Sequence, residues 1–353
     1  MVSRGQDAGN TIPRLSGGAP VPVRWGILGT AHIALDKVIP AMRHARWARV
    51  VAIASRSADR ARVAAEKLGI QRAYGDYDEL LADPEIEAIY NPLPNHLHVP
   101  WTLRAARAGK HVLCEKPIAL NAAQARELLA ARDQNGVHMG EAFMVRTHPQ
   151  WLAVRERVHS GRIGELRLIT CQFSYFKSDP EDIRNRADYG GGGLLDIGCY
   201  PITLSRWLYG AEPLRVVSLI DRDPAFHIDR LTSALLQFPS GQAIFSCATQ
   251  LAPYQRLHVH GTRARMEIEI PFNAPPDRPC RIFIDDGRDV FGSGMETVTL
   301  PTIDQYTVQA EQFSRAVRGL EPVPVSLEDA IANMDVIDAL FRSAETGRWE
   351  ALS

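Results

Sequence analysis

Short apolar segments alternate with longer amphipathic segments from Val23 onward, and this alternation constrains the fold of the chain more than any other feature. Each apolar segment has the length of one strand, and each amphipathic segment has the length of a helix that packs on one face. The sequence predicts strands at 24–28, 50–54, 88–90, 111–114 and 137–140, and helices from about residue 31 and at 58–68, 99–108 and 122–133. Strands that alternate with helices join through right-handed crossovers, so the pattern predicts a doubly wound parallel sheet.

The pattern changes after about residue 143, where predicted strands follow one another with few helices between them. Strands are predicted at 165–176, 233–238, 243–248, 257–261 and 265–270, and helices at 194–208, 306–318 and 327–346. This pattern is typical of an α+β domain with a large, mostly antiparallel open sheet. A chain of 353 residues is long enough for two domains. We expect a flexible N-terminal arm at 1–22, a first domain at 23–142 and a second domain at 143–353.

The charge and cysteine content exclude several classes of partner. A formal net charge of −1 gives no electrostatic reason to bind nucleic acid or an anionic membrane surface, so the expected ligand is a small molecule. No apolar run approaches the roughly 18 residues that a membrane helix needs. An odd number of scattered cysteines without a Cys-x-x-Cys pair favours neither disulfides nor zinc and predicts a cytoplasmic protein. The five are Cys114, Cys171, Cys199, Cys247 and Cys280.

The turn between the first strand and the first helix has the composition of a dinucleotide-binding loop. It reads Gly26-Ile-Leu-Gly29-Thr-Ala31-His-Ile-Ala34, with glycines for a tight turn and a helix N-terminus whose free N–H groups attract a pyrophosphate. Ala31 and Ala34 stand where glycine is commoner, and glycine-rich turns also join strands to helices without any ligand. Because the loop opens a series of strand–helix units, we interpret it as a Rossmann cofactor loop. Contacts are expected at Gly26, Gly29, Thr30, Ala31, His32 and Ile33.

The end of the second strand indicates which dinucleotide binds. A ribose with a free 2′-hydroxyl usually meets Asp or Glu at this position, whereas a 2′-phosphate favours Arg. Here the chain has Ser55, Arg56 and Ser57, with no carboxylate until Asp59. A cation at a helix start gains nothing from the helix dipole, so an unliganded role explains Arg56 poorly. We expect contacts to NADP(H) from all three residues and consider NAD(H) the weaker alternative.

Three further segments carry chemistry, and two of them follow strands of the predicted parallel sheet. Asn91-Pro-Leu-Pro-Asn-His96 follows the fourth strand and Cys114-Glu-Lys-Pro117 follows the fifth, at the carboxyl edge where α/β proteins bind ligands. Further cofactor contacts are therefore expected at Pro92, Leu93, Asn95, His96, Glu115 and Lys116. The third segment is a run of four glycines that leads into Leu195-Asp-Ile-Gly-Cys-Tyr200.

Asp196 and Tyr200 lie four residues apart, so a helix presents them on one face. Oxidation of an alcohol removes a proton as well as a hydride, and a base must stand close to the hydroxyl. Tyrosine becomes such a base only when a nearby cation lowers its pKa, and we expect Lys116 to be that cation. Asp196 is expected to hold a neighbouring substrate hydroxyl. Each residue alone also has a plain structural interpretation, as a surface turn, a helix cap or core packing.

Histidines and one arginine complete the candidate residues. His96 and His98 have the spacing of some metal ligands, but a helix points residues i and i+2 apart and no third ligand is evident, so no metal is expected. His96 is expected to contact substrate and His98 to pack. Arg184 is a candidate substrate ligand whose alternative is a solvated surface charge.

Together these segments give the chain a resemblance to the Gfo/Idh/MocA oxidoreductase family from about Val23 to the C-terminus. The Glu-Lys-Pro tripeptide and the Asp-Ile-Gly-x-Tyr segment are its most specific marks. Tyr200, with Glu141-Ala-Phe-Met144 and His148-Pro149, is similar to the branch of glucose–fructose oxidoreductase, D-xylose dehydrogenase and dimeric dihydrodiol dehydrogenase. Inositol dehydrogenases typically carry His where this chain has Tyr200.

The resemblance implies an NADP(H)-dependent oxidoreductase that moves a hydride between the nicotinamide and a sugar or polyol, with an aldose oxidised at C1 as the expected reaction. It implies catalytic roles for Lys116, Asp196 and Tyr200, and a homo-oligomer, dimer or tetramer, formed through the sheet of the second domain. A trans-dihydrodiol dehydrogenase, a ketosugar reductase, a non-catalytic NADP(H) or sugar sensor and a glycosidase with tightly bound NAD stay open as alternatives. The joint presence of the three catalytic candidates favours an enzyme, and Arg56 counts against the glycosidase.

Overall fold

The computed structural model describes residues 21–352, and the first half of these residues forms a six-stranded parallel sheet. Its strand order is β3-β2-β1-β4-β5-β6, so the direction of winding reverses between β1 and β4, where such sheets have a crevice at the carboxyl ends of the strands. The doubly wound parallel sheet is confirmed. Its strands are β1 (Val23–Leu28), β2 (Ala48–Ala54), β3 (Arg72–Tyr74), β4 (Ala88–Asn91), β5 (His111–Glu115) and β6 (Met139–Ala142).

The helices of this half begin at residues whose side chains satisfy free backbone N–H groups. Ser57, Asp76 and Asn121 accept hydrogen bonds from residues in the first turns of the helices that they precede. The helices are α1 (Ile39–Met42), α2 (Ala58–Lys67), α3 (Tyr77–Ala82), α4 (His98–Arg107) and α5 (Ala122–Asn135). A π-helical turn at Ala34–Val38 precedes α1, and a 3-10 turn at Asn95–Leu97 precedes α4.

The second half is built on a sheet of nine strands within residues 21–352. Its order is β14-β13-β12-β11-β7-β10-β9-β8-β15, in which only β7 and β10 pair in parallel, so the expected mostly antiparallel open sheet is confirmed. The strands are β7 (Leu166–Phe176), β8 (Arg215–Arg222), β9 (Asp229–Gln237), β10 (Gln242–Ala248), β11 (Gln250–Gly261), β12 (Arg265–Ile268), β13 (Arg281–Asp285), β14 (Met295–Thr299) and β15 (Glu350–Ala351).

One face of this sheet packs on helices and the other face is open. In β7, for example, Ile169, Cys171 and Phe173 are buried, while Gln172 between them is exposed, which is the two-residue period of a half-buried strand. The helices of this half are α6 (Pro149–His159), α7 (Cys199–Tyr209), α8 (Gln305–Val317) and α9 (Leu327–Thr346). The first eight residues of α7, 199–206, are all buried. Trp207 is half-buried, and Leu208 after it is buried.

The C-terminal part of the chain returns to complete the first sheet. The Trp25 indole of β1 packs against the Phe313 ring of α8, with centroids 5.5 Å apart, and donates its Nε1–H to Ser314 Oγ at 3.0 Å. Thr307 Oγ1 donates to the Ala41 carbonyl at 2.9 Å. Helix α8 follows the predicted domain boundary at residue 142 in sequence but packs against the sheet of the first domain. That boundary therefore stays a prediction. Most of the predicted arm at 1–22 lies outside the described residues.

Candidate active site

The turn after β1 has the geometry of a close backbone approach. Gly29 has a φ of +83°, which an L side chain rarely adopts, and a Cβ there would lie 3.0 Å from Leu93 Cδ2. Gly26 lies inside β1, where a Cβ would come within 2.9 Å of Leu80 Cδ2, so this glycine is needed where β1 packs on α3. The two glycines of the predicted loop therefore have different roles. Gly29 forms the turn, and Gly26 allows β1 to pack closely on α3.

The residues that follow Gly29 differ in exposure. Thr30 and Ala31 are half-buried at the turn, and Ile33 packs against the first domain's core. The His32 side chain is fully exposed, and its Nδ1 lies 3.4 Å from Asp36 Oδ2. The structure thus places Thr30 and Ala31 at the start of the helical turn, while the exposed His32 side chain pairs with Asp36 of the same turn.

The end of β2 forms a tight hydroxyl-rich turn. Ser55 is buried, its N–H donates to the Tyr74 carbonyl at 3.1 Å, and its Oγ accepts the Ser57 N–H at 3.3 Å. Ser57 Oγ accepts the Arg60 N–H at 3.4 Å and so caps α2. Arg56 projects between the two serines and is exposed. The turn leaves the Arg56 guanidinium in solvent at the edge of the cofactor sheet.

The loop after β4 is covered by the glycine segment of the second domain. Asn95 Nδ2 donates to the Gly190 carbonyl at 2.9 Å, and the His96 ring stacks on Tyr189 with centroids 4.2 Å apart. Pro92 and Leu93 are buried beneath them. In the structure Asn95 and His96 therefore contact the second domain. Their contacts with ligands stay predictions.

His98 ties two loops of the site together. Its ring is buried, with Nδ1 2.7 Å from the Pro117 carbonyl oxygen and Nε2 2.6 Å from the Leu93 carbonyl oxygen. Leu93 belongs to the β4 loop and Pro117 follows Lys116. The packing role expected for His98 therefore includes a bridge between the main chains of the β4 and β5 loops.

Lys116 and Asp196 form the central ion pair of the site. Lys116 Nζ donates to Asp196 Oδ1 at 3.1 Å and to the Asp196 carbonyl at 2.6 Å, and the two side chains are 14% and 16% exposed. Lys116 follows β5, and Asp196 lies in a π-helical turn, Leu194–Gly198, that leads into α7. Two segments eighty residues apart in sequence thus meet at the carboxyl edge of the first sheet.

The charges of this pair stabilise each other. Burial acts to lower the pKa of Lys116, but the Asp196 carboxylate outweighs it and raises that pKa above its usual value. Burial acts to raise the pKa of Asp196, but Lys116 and Arg184 hold it well below its usual range. At neutral pH the pair is therefore an ammonium and a carboxylate.

Two further side chains bind the second oxygen of Asp196. The Tyr175 hydroxyl donates to Asp196 Oδ2 at 2.5 Å, and Arg184 Nε donates to the same oxygen at 3.2 Å. Arg184 was expected to bind substrate, yet its guanidinium pairs with Asp196 and with Asp182 at 3.3 Å. Tyr175 was not predicted. Its signal was the two-residue period of β7, which places it on the same face as the buried Phe173.

The surroundings of Tyr200 differ from the expected acid–base pair. Its hydroxyl lies 3.6 Å from Met144 Sδ, and its ring packs edge-on against Phe143 and Phe173. Lys116 Nζ stands over the ring face, 5.3 Å from the centroid, rather than at the hydroxyl. Burial raises the pKa of Tyr200 well above its ordinary value. The expectation that Lys116 lowers this pKa is therefore wrong for this arrangement, because the cation contacts the π face and the hydroxyl faces sulfur.

Glu115 contacts Tyr90 and the main chain of Lys116. The Tyr90 hydroxyl donates to Glu115 Oε1 at 2.5 Å, and the Lys116 N–H donates to Oε2 at 3.3 Å. Burial raises the pKa of Glu115. Glu115 was expected to contact the cofactor, and in the structure its described partners are Tyr90 and the main chain of its neighbour.

Two family models match this chain. Residues 23–143 match the oxidoreductase family with an NAD-binding Rossmann fold named GFO_IDH_MocA, and residues 151–267 match the GFO/IDH/MocA C-terminal domain. The chain belongs to the Gfo/Idh/MocA oxidoreductase family. The resemblance read from the Glu-Lys-Pro and Asp-Ile-Gly-x-Tyr segments is thereby confirmed.

The relatives include proteins of similar length and several named activities. An uncharacterized oxidoreductase of Rhizobium meliloti is 51% identical over 94% of this chain and 99% of its own. D-xylose 1-dehydrogenase (NADP(+)) 2 of Haloferax volcanii is 37% identical over 92% and 98% of the two chains. A solved structure of a 3-ketoreductase from Actinomadura kijaniata, with NADP and TDP-benzene, has a TM-score of 0.84 at 32% identity over 92% and 98% of the two chains.

No helix within residues 21–352 is both long enough and apolar enough to cross a bilayer.

Proposed function

We propose that this chain is an NADP(H)-dependent dehydrogenase that oxidises an aldose at C1. The observation that carries the proposal is the Lys116 ammonium held on the Asp196 carboxylate at the carboxyl edge of the Rossmann sheet. Parallel α/β sheets bind ligands at this edge, and a group that exchanges a proton with a hydroxyl must stand beside the reacting carbon. Lys116 is the proposed proton carrier, and Asp196 its partner.

The residues of the first domain fit a dinucleotide that carries a 2′-phosphate. The turn at Gly29 has no side chain to block a pyrophosphate, and a helix begins directly after it. Arg56 at the end of β2 is exposed and stands between two hydroxyl side chains. When bound, NADP⁺ supplies the acceptor for the hydride of the substrate carbon. One charge-assisted contact to the phosphate contributes about 1.5–3 kcal/mol, so we expect at least a ~10-fold preference for NADP(H).

The proton of the reaction is exchanged at Lys116 Nζ. In the oxidation direction a neutral Lys116 amine takes the proton of the substrate hydroxyl, and in the reduction direction the ammonium donates it. Because the Asp196 carboxylate raises the pKa of Lys116, the ammonium dominates at neutral pH. We therefore expect the rate of oxidation to increase with pH and the rate of reduction to decrease. Tyr200 is proposed to stabilise the ammonium through its ring face rather than to carry the proton.

A neutral, polyhydroxylated substrate suits the charges at the mouth of the site. Lys177 pairs with Asp182 at 3.3 Å, and Arg186 pairs with Asp188 at 3.0 Å, so these cations already have carboxylate partners. A sugar phosphate would compete with those pairs, whereas a neutral sugar leaves them in place. The xylose dehydrogenase relative acts on a substrate of this class with NADP⁺.

A ketosugar reductase is the second candidate, favoured by the charge state of Lys116. An ammonium is ready to donate a proton when a carbonyl is reduced, and the Actinomadura kijaniata relative is a 3-ketoreductase. A trans-dihydrodiol also presents adjacent hydroxyls and is a further substrate to test. A sensor without turnover is the remaining alternative of another class.

We further propose a cytoplasmic homo-oligomer that associates through the open face of the nine-stranded sheet. Ile244, Leu235 and Val217 form one cross-strand row on this face, and the adjacent row contains Leu219, which is 77% exposed. Apolar side chains in such a row are typical of an interface. All five cysteines are free, in accord with a reducing compartment.

The test offers the purified chain a panel of substrates and both cofactors. Xylose, glucose, a polyol and a cyclic trans-dihydrodiol are incubated with NADP⁺ or NAD⁺, and a ketosugar is incubated with NADPH, while the absorbance of the reduced nicotinamide is followed. We expect turnover of an aldose with NADP⁺ and at least ~10-fold lower kcat/KM with NAD⁺. If the ketosugar, the polyol or the dihydrodiol is turned over and the aldoses are not, that compound replaces the aldose as the proposed substrate. Tight binding of cofactor and sugar without any turnover would support the sensor.

A further inference from the structure

Asp229, the first residue of β9, is a buried carboxylate whose hydrogen bonds come from neutral donors. The residue is 2% exposed. The Leu194 N–H donates to its Oδ2 at 2.6 Å, and the Thr232 hydroxyl donates to the same oxygen at 3.1 Å. No lysine, arginine or histidine nitrogen of residues 21–352 lies within 4.0 Å of this carboxylate. Two neutral donors therefore take the place of a counter-ion, and the shorter hydrogen bond comes from the segment that carries Asp196.

Asp229 is mostly ionised at neutral pH despite its burial. Burial raises the pKa of this carboxyl to about 6, and the two hydrogen bonds and the charge of Arg222 act against the rise. A buried charge without an ion-pair partner costs free energy unless polar groups are directed at it. The Leu194 N–H is such a group, and Leu194 opens the helical turn that leads into α7.

The glycine run before Leu194 leaves room for this carboxylate. Gly192 has a φ of +109°, and a Cβ there would overlap Asp229 Oδ1. A Cβ at Gly193 would lie 3.3 Å from the Asp229 carbonyl oxygen. Leu194 and Asp229 are thirty-five residues apart in sequence. The absence of side chains at the two glycines therefore allows the turn to contact a distant strand.

The turn that Asp229 contacts carries Asp196. It is the π-helical turn Leu194–Gly198, and Gly193 before it has no side chain to cap it. The first N–H groups of a helix have no partner within the helix, so Asp229 supplies from another strand the acceptor that a capping residue supplies locally. The Asp196 N–H donates to the Gly192 carbonyl at 3.2 Å. Asp196 is thus fixed by the glycine that adjoins Asp229.

We propose that Asp229 is a positioning residue that sets the distance between Asp196 and Lys116. It holds the start of the turn, and the turn places the Asp196 carboxylate 3.1 Å from Lys116 Nζ. Asp229 acts through Leu194 and exchanges no proton with the substrate. The inference rests on the proposed function, in which Lys116 carries the proton, and it adds the residue that aligns the partner of that lysine.

Release of the hydrogen bond to Leu194 would change the charge environment of Lys116. The titratable and charged groups that act most strongly on its ammonium are Asp196, Cys199, Glu115 and Arg184. Burial acts to lower the pKa of Lys116, and Asp196 contributes most to raising it. If Asp196 moves away, burial dominates and this pKa falls. The pKa of one lysine therefore reports whether Asp229 positions Asp196.

NMR of the full chain measures that pKa without any substrate. The chain contains five lysines, so lysine isotopically labelled at Cε gives five signals, and Lys116→Met identifies that of Lys116. The proteins compared are the wild type, Asp229→Ala, Asp229→Asn and the control Ser326→Ala. Ser326 accepts the Asp329 N–H at 3.3 Å and caps α9, so its substitution removes a helix cap outside the site.

We expect the titration midpoint of Lys116 to fall by ~1 pH unit or more in Asp229→Ala. Asparagine keeps one acceptor oxygen but loses the charge, so the midpoint should fall by ~0.5 pH unit in Asp229→Asn, and Ser326→Ala should keep the wild-type midpoint. kcat should fall by ~10–100-fold in Asp229→Ala, because misplacement of a catalytic group by about 1 Å has such an effect. The Kd of NADP⁺, measured by calorimetry, should stay unchanged in all variants.

The outcomes separate this inference from the proposed function. A wild type that turns over none of the offered substrates would contradict the proposed function, and the Lys116 midpoints would still test the role of Asp229. Thermal unfolding gives the stability of each variant. If both Asp229 variants lose stability and keep the wild-type midpoint, Asp229 is a structural cap and the inference is wrong. If Asp229→Ala does not fold, a wild-type midpoint in Asp229→Asn overturns the inference, and a lowered midpoint supports it.

Discussion

Two charge clusters have the same arrangement, in which a single aspartate binds two cations, but only one of them lies at the carboxyl edge of the Rossmann sheet. In the site cluster, Asp196 binds Lys116 and Arg184. In what we call the support cluster, Asp329 of α9 binds Arg146 at 2.6 Å and Arg206 at 3.1 Å. Each cluster joins segments that are distant in sequence. The contrast between them separates charges that hold the fold from charges that are available for chemistry.

The clusters differ in their cations and in how completely protein encloses them. Arg206 is 4% exposed and binds Glu212 with two nitrogens, at 2.6 and 2.8 Å. Such a bidentate arginine has a fixed geometry and no accessible neutral form. The site cluster instead centres on a lysine, whose proton can leave, and Arg184 at its edge is 41% exposed. A lysine at an open edge is suited to exchange a proton, and an enclosed arginine is suited to hold helices together.

The largest expected effect is the loss of catalysis in Lys116→Met. Methionine keeps the length of the side chain but carries no proton, so kcat should fall by ~10²–10⁴, the usual range for lost acid–base help. Steady-state kinetics in both directions measure this loss, and calorimetric binding of NADP⁺ checks that the cofactor site survives.

Tyr200→Phe is the matched control for this variant. Within residues 21–352 the Met144 sulfur is the hydrogen-bond partner of the Tyr200 hydroxyl. Phenylalanine keeps the ring beneath the ammonium, so kcat should change by less than ~5-fold. A loss as large as that of Lys116→Met would show that the Tyr200 hydroxyl takes part in proton transfer and would restore the acid–base pair expected from the sequence.

The second-largest expected effect is a loss of stability in Asp329→Asn. Removal of the shared carboxylate leaves Arg146 and Arg206 buried with a net positive charge, which costs about 3 kcal/mol. Urea unfolding measures the free energy of unfolding, and kcat of the folded fraction should stay within ~3-fold of the wild type, because the cluster touches no reacting group.

Asp335→Asn on the same helix is the control. Its partner Arg126 lies 2.7 Å away, but the two side chains are 51% and 39% exposed, so the free energy of unfolding should change by less than ~0.5 kcal/mol. Equal effects of the two substitutions would mean that burial does not distinguish the support cluster from a surface pair.

The smallest effect is a pH-dependent one at Glu141, which lies between the two clusters. Burial raises the pKa of this carboxyl from 4.5 to about 8, and Asp329 contributes to the rise. A carboxyl with a raised pKa binds its proton more tightly in the folded state, so the folded protein loses stability as the pH increases from about 4.5 through about 8. Glutamine has no such proton to lose and can still accept the Ile118 N–H that Glu141 Oε1 accepts at 2.8 Å.

Glu141→Gln should therefore match the wild type near pH 5 and exceed its stability by ~1–3 kcal/mol near pH 9. Thermal unfolding across this range gives the comparison. A constant difference between the two proteins at all pH values would show that Glu141 does not titrate there.

The sequence predicted the first domain better than the second because its helices and strands have distinct periods. Strands β1, β2, β4, β5 and β6 were expected within a few residues of their observed bounds. The short strand β3 was missed in the first domain, and β8, β13, β14 and β15 were missed in the second. Strand β14 lies at one edge of the sheet and is exposed along most of its length, and edge strands have weak hydrophobic patterns. Strand β13, which pairs with β14, carries charged residues at both ends, Arg281 and Asp285. Helix α6 was also missed, although His148 caps it and Pro149 occupies its first turn.

The candidate site shows a similar limit. Motif positions predicted that Lys116 and Asp196 belong to one site, and the structure pairs them. Side-chain direction was beyond the same reasoning, since the helical spacing of Asp196 and Tyr200 does not reveal that Phe143 and Phe173 enclose the tyrosine ring. Arg184 was expected to be available to substrate, because the sequence does not show that Asp196 lies beside it. The fold brings the two side chains to 3.2 Å.

The return of α8 to the first sheet has a consequence for the time course of synthesis. The contact from Trp25 to Ser314 spans 289 residues, so the apolar surface beneath α8 stays uncovered until almost the whole chain has left the ribosome. At roughly 5–20 residues per second this interval lasts about 15–60 s. The nucleotide-binding sheet, although encoded first, is completed nearly last. For that interval the nascent chain presents the Trp25 indole and its apolar neighbours to other molecules, as a surface on which chaperones act.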